Sequence, residues 1–432
     1  MPQVRVLGRG ARITGGIFCL LFALHTWIWV LRDVLELGFG DTWDVWTGAL
    51  GPGAGAGALA DIPATTTVDA GLGLLQLAAA FAAFTGAWAA GGLMAVTTLL
   101  TFSYRLPVIW HAGLHSESSP YYALRGFFND PSVDAAWVSC ALTVFLCAPL
   151  AIVLMAGVRP WTGRPAQAAQ PGHPAQPYEP PLPGESPQRP TRAHAVVAAV
   201  LLGVLVLFNA GWNIQTIYTS GGGTWLRLFT GEGTVSTLLD VSPAWEWLTL
   251  IVVCGTGAVL AMARTVSARG FSLGVAILLL PQALTFLWGY LDAGTFLELG
   301  DVAPVSGLFG RVQLLITLAG TVTLIVLAMR PGVPAQPAPV PFGSAVPFGP
   351  PPGQAPVQAQ PYVPLQPGPG AAGPAPAGPA YAYPPAQPAG GPPAGPPPSG
   401  PPAAPPPPVA PPASPPSENG PGGGTFGPPP VY

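Results

Sequence analysis

Residues 135–160, AAWVSCALTVFLCAPLAIVLMAGVRP, decide how this chain is read. From Ala135 to Val158 no residue is charged, and that length crosses the roughly 30 Å hydrocarbon layer of a bilayer as a helix. The run stops at Arg159-Pro160. The same ending returns at residues 312–331, VQLLITLAGTVTLIVLAMRP, where Ile325-Val-Leu-Ala leads into Arg330-Pro331 as Ile152-Val-Leu-Met leads into Arg159-Pro160. Both runs then give way to proline-rich sequence. This echo predicts a chain built twice: a set of membrane helices closed by an Arg-Pro stop, a proline-rich linker, a second set with the same stop, and a long tail.

Composition supports the membrane reading. Charged residues make up 8% of the chain and hydrophobic residues 50%, too apolar a balance for a soluble protein of 432 residues. Apolar runs place eight spans at about 13–31, 70–88, 92–110, 135–158, 194–213, 245–263, 271–291 and 311–329. The expected fold is an all-α integral membrane protein, with eight transmembrane helices arranged as two tandem four-helix repeats. Residues 1–158 form the first four-helix unit and 194–330 the second. Residues 159–193 form a Pro-rich cytoplasmic linker and 331–432 a Pro/Gly/Ala-rich cytoplasmic tail, both expected to be disordered because they bury too little apolar surface to fold. The first span is read as uncleaved, since the small-residue signal Ala58-Leu59-Ala60 lies far beyond the apolar run.

The connections after the first span of each half are glycine-rich and read as loops, yet they share a pattern. Gly40-Asp41-Thr42-Trp43 and Thr47-Gly48 answer to Gly223-Thr224-Trp225 and Thr230-Gly231, with a one-residue gap. All fifteen basic residues are arginine, and ten fall on one side of the proposed spans, among them Arg5, Arg9, Arg12, Arg159, Arg269 and Arg330. The excess of cations on cytoplasmic segments then puts both termini inside, in the cell membrane. Four spans per half insert both halves the same way up, a parallel repeat about an axis along the membrane normal.

An ionisable or polar group inside a span is costly, which makes each one a candidate for chemistry. Three stand out: His25, Arg105 and Asn209. Arg105 would either contact an anion or a lipid headgroup from an outward cavity or snorkel to the interface. Asn209 precedes Trp212 much as His25 precedes Trp27 and Trp29, so the two could face each other across the repeat axis or act as interhelical hydrogen-bond glue. Gln76, Gln282 and Gln313 are weaker cases. Pro149 and Pro281 fall within spans, where a kink would free a carbonyl to line a cavity. His111 and His115 share the i, i+4 spacing beside Glu117, but a metal-dependent enzyme would need a further ligand from another outer loop, such as Asp301. Cys19, Cys140, Cys147 and Cys254 lie in apolar runs and form no disulfide framework.

There is no phosphate-binding glycine motif, nucleophile elbow or paired intramembrane carboxylate. No catalytic residue, cofactor, metal or nucleic acid is therefore expected. Membrane lipid is one partner. A protein partner is possible through the tail, whose last residues Pro429-Pro430-Val431-Tyr432 fit the PPxY pattern. The function expected is that of a non-enzymatic scaffold or accessory protein. The first alternative is a transporter of a small solute or lipid through the interface between repeats, lined by His25, Arg105 and Asn209, and the second is a membrane enzyme.

Overall fold

The computed structural model describes residues 4–49, 62–114, 131–161, 186–297 and 304–335. In chain order the elements are β1 (Arg5–Leu7), α1 (Arg9–Glu36), α2 (Phe39–Thr47), α3 (Thr67–Thr85), α4 (Ala90–Gly113), α5 (Pro131–Gly157), β2 (Val158–Pro160), β3 (Gln188–Arg189), α6 (Arg192–Thr230), α7 (Pro243–Met262), α8 (Ser267–Asp292), α9 (Pro304–Met329) and β4 (Val333–Pro334). Among the described residues, all of these helices except α2 are long and apolar enough to cross a membrane, eight in number. The chain is a multi-pass membrane protein. Side chains such as Phe81, Phe145, Leu207, Ile28 and Met155 point outward, as they must where the solvent is lipid.

Within residues 4–161, α1 packs on α3, α3 on α4, α4 on α5, and α5 returns to α1. Within residues 186–335, α6 packs on α7, α7 on α8, α8 on α9, and α9 returns to α6. The two rings meet where α8 lies against α3 and α4, and α4 also touches α7. Helices α3, α4 and α8 are thus the most enclosed, and α5 and α9 the least. The core follows from this arrangement: Leu72, Leu75, Met94, Val96 and Leu100 from the first ring pack with Leu202, Val253, Val275 and Leu278 from the second.

The meeting of α4 and α8 depends on two glycines. A Cβ on Gly92 would sit 2.0 Å from the Ser267 carbonyl oxygen and 2.7 Å from the Phe271 nitrogen. One on Gly270 would sit 2.0 Å from the Ala89 carbonyl oxygen and 2.9 Å from the Leu93 nitrogen. The contact is reciprocal: each glycine meets the residue three before, and the residue one after, its opposite number. Small residues at a crossing let two backbones touch, the arrangement that favours helix association in lipid, where apolar burial gives no net drive.

Three features differ from the sequence expectation. First, residues 32–49 and 62–68 do not form a plain loop, and residues 50–61 between them lie outside the described residues. A nine-residue helix, α2, runs between Gly38 (φ 86°, ψ 160°) and the left-handed cap Gly48, with Phe39 stacked on Trp43 and Trp43 edge-on to Trp288 of α8. Second, α6 does not end near residue 213. It continues to Thr230, broken only at Gly221 (φ 83°, ψ 161°) and capped by left-handed Gly231. A glycine-rich stretch was expected to loop, but only one glycine leaves the helical region, and Trp225 and Phe229 stack to hold the following turns.

Third, the fold is not purely helical. The end of the first ring folds back on its start, β1 pairing antiparallel with β2 through Arg5↔Pro160 and Leu7↔Val158. The end of the second does likewise, β3 pairing with β4 through Gln188↔Pro334. The equivalent flanking bonds are Trp161 N–H to the Val4 carbonyl and Ala335 N–H to the Pro187 carbonyl, each 2.7 Å. The outermost residues of the expected linker, and residues 331–335 of the expected tail, are therefore strand or strand-flanking. Proline is tolerated there because a two-stranded sheet consists only of edges. The interior of that linker (162–185) and the tail from residue 336 lie outside the described residues.

Candidate functional site

Arg105 is fully buried, and its partner is Asp69. Asp69 stands in the first turn of α3, where its Oδ2 accepts the Thr66 backbone N–H at 2.8 Å and so caps the helix. Its other oxygen, Oδ1, accepts from Arg105 Nη1 at 2.7 Å. One carboxylate thus serves both the helix start and the guanidinium. Arg105 thus has a buried protein partner, because α3 and α4 are antiparallel neighbours and bring the start of one beside the far end of the other.

One helical turn along from Arg105, Thr101 accepts from Gln76 Nε2 at 3.0 Å, and Gln76 Oε1 accepts from Thr26 Oγ1 at 3.0 Å. All three residues are buried. This chain ties α1, α3 and α4 together. Beside it both ring nitrogens of His25, the Tyr104 hydroxyl and Arg105 Nε and Nη2 are buried without a protein hydrogen-bond partner. His25 lies within electrostatic range of Arg105.

Asp33, near the end of α1, is a further buried carboxylate that sequence reading assigned to a loop. It accepts the backbone N–H groups of Ala64 and Thr65 at 2.9 and 2.7 Å and the Thr65 hydroxyl at 2.6 Å. The segment it holds continues across the molecule, since the Pro63 and Ala64 carbonyls accept from Leu238 and Leu239 N–H at 3.0 and 2.9 Å. Its only sequence signal was an acid one residue after Arg32 at the close of an apolar run.

Asn209 does not join this group. It lies on α6, whose neighbours are α7 and α9, and its Nδ2 donates to the Leu205 carbonyl one turn back at 2.8 Å. A register that sets Gly38 against Gly221 and Trp29 against Trp212 would set Thr26, not His25, against Asn209, and both are buried. So His25 and Arg105 both lie in the first ring, within electrostatic range but without a hydrogen bond between them, and Asn209 lies in the second. Of the glutamines, Gln313 accepts from Trp212 Nε1 and Gln282 donates to Glu246 at 3.3 Å.

His111 is in contact with the Thr230 carbonyl through Nε2 at 2.6 Å, and Trp110 Nε1 donates to the same oxygen at 2.9 Å. It clasps the end of α6. His115, Glu117 and Asp301 lie outside the described residues, as does the PPxY stretch. Among the described residues no three His, Cys, Asp or Glu side chains stand close enough to hold a metal, and the four cysteines are free and buried. No family model, curated protein or solved structure matches the chain.

Proposed function

We propose that this protein is a non-enzymatic membrane scaffold or accessory protein, built as two tandem four-helix repeats with both termini on the cytoplasmic side. Several correspondences support the duplication. The rings have the same order of helix contacts, each is clasped by a two-stranded sheet, and each first helix breaks at a glycine of the same backbone conformation before a short segment with a left-handed glycine cap. The distribution of arginines supports the orientation.

The observation that carries the scaffold reading is the closed interface between the rings. A transporter built from repeats works through the plane where they meet. Here that plane has backbone against backbone at Gly92 and Gly270 toward one end, and main-chain bonds from Leu238 and Leu239 to residues 63 and 64 toward the other. Thr26, Gln76 and Thr101 bond to one another, as do Asp69 and Arg105, and neither of the two cavities described below is lined by His25, Arg105 or Asn209.

The transport alternative draws on one observation, the unpartnered polar atoms around His25, Tyr104 and Arg105. Single-cysteine variants H25C and N209C, made in a Cys-free background and exposed in membranes to an impermeant maleimide, separate the two. The scaffold reading predicts labelling of neither. Labelling of both would put water between the repeats and replace it with transport.

A further inference from the structure

We propose that a cavity at the β1 end of the first ring binds the headgroup of an anionic phospholipid. The cavity, of about 330 Å³, is bounded by β1, the α3–α4 turn, the end of α5 and the start of α8. Arg5 and Arg12 line it, and among the described residues no carboxylate does. Arg12 Nη1 donates to the Gly86 carbonyl at 3.2 Å, while its Nε is buried without a protein partner. Apart from Ser267 the remaining wall is apolar or aromatic, with Trp88, Leu154 and Met155, and Met155 points outward into the lipid. Two guanidinium groups at the level where the helices leave the membrane, above an apolar wall open to lipid, match a phosphate ester carrying acyl chains.

The second ring shows what fills this place when the protein fills it itself. Taking the two rings as repeats, a reading on which this part of the argument rests, Gly91 corresponds to Arg269, since each precedes a glycine of the α4–α8 crossing. The Arg269 guanidinium donates to Gln188 Oε1 at 2.9 Å, to the Ala328 carbonyl at 2.6 Å and to the Arg330 carbonyl. The cavity left beside it is only about 20 Å³. In the first ring Gly91 contributes no side chain, and a Cβ there would meet nothing nearer than Leu7 Cβ at 3.9 Å. The space is therefore open and cationic on one side only.

The test uses the full chain in detergent, with bound lipid counted by native mass spectrometry after exposure to phosphatidylglycerol or phosphatidylcholine. The wild type should retain phosphatidylglycerol in preference to phosphatidylcholine. R5Q/R12Q should lower that retention about tenfold or more, the loss of two phosphate contacts. G91R, which places a side chain in the cavity, should lower it equally, while R5K/R12K should keep most of it. Equal retention of the two lipids by the wild type overturns the proposal without any variant, and so does retention unchanged in R5Q/R12Q. Binding of sn-glycerol 3-phosphate as tight as that of the lipid would also overturn it, showing a site for a free phosphate ester. If G91R alone leaves retention intact while R5Q/R12Q abolishes it, the lipid site stands and the repeat correspondence fails.

Discussion

Arg105 shows how far a single residue can be read. Its position inside a span marked it as costly, and it proved to be fully buried. Its partner was less visible, because Asp69 sits 36 residues earlier at the edge of an apolar run and looks like a loop acid. The available signal was Thr66-x-x-Asp69 before an apolar helix, a capping pattern that places the carboxylate at the helix start. Removing one member of a buried ion pair leaves the other charge uncompensated, at a cost of about 3–5 kcal/mol, whereas replacing both costs much less. Arg105→Met should therefore destabilise the protein by about that amount in thermal unfolding in detergent, and Asp69→Asn/Arg105→Met should recover most of the loss. An Arg105→Met protein as stable as the wild type would mean that the guanidinium reaches water. The depth of His25 and Asn209 was legible, but their grouping was not, since it depends on which helices pack and on a register one residue away from the one the tryptophans suggested.

At the scale of elements, the apolar runs located the eight membrane-length helices among the described residues, while two of the segments between them, read by composition as loops, hold helix. Glycine content at 38–48 and 221–231 predicted loops. The structure uses Gly38 and Gly221 as single breaks, at φ near +85° and ψ near 160°, and keeps the residues after each in a helix. That region of backbone space is open almost only to glycine, and a side chain there costs about 1–3 kcal/mol. Gly38→Ala and Gly221→Ala should each lower stability by about that much, whereas Gly40→Ala and Gly223→Ala, with open space around them, should be close to neutral. Equal behaviour of all four variants in detergent unfolding would remove the breaks from the account. The strands were illegible for a different reason. Each is two or three residues long and formed by chain ends distant in sequence, so no local periodicity announces them.

At the scale of the whole molecule, the repeated Arg-Pro endings are what first suggests the proposed duplication. The crossing of α4 and α8 is reciprocal, as expected where two copies of one unit meet through the same surface. Sequence could not show this, because Gly92 and Gly270 are two among 56 glycines, and only packing distinguishes them. The same packing brings the two rings into backbone contact at both ends of their interface, and that closure carries the scaffold reading. The proposed duplication has a direct test, because four spans per half would return the chain to the same side before each short helix. Gly40 and Gly223, both exposed and both with room for a side chain, mark those segments. Single-cysteine variants G40C and G223C in intact cells should both react with an impermeant maleimide from outside. Labelling of one from outside and the other only after the membrane is opened would contradict the parallel repeat.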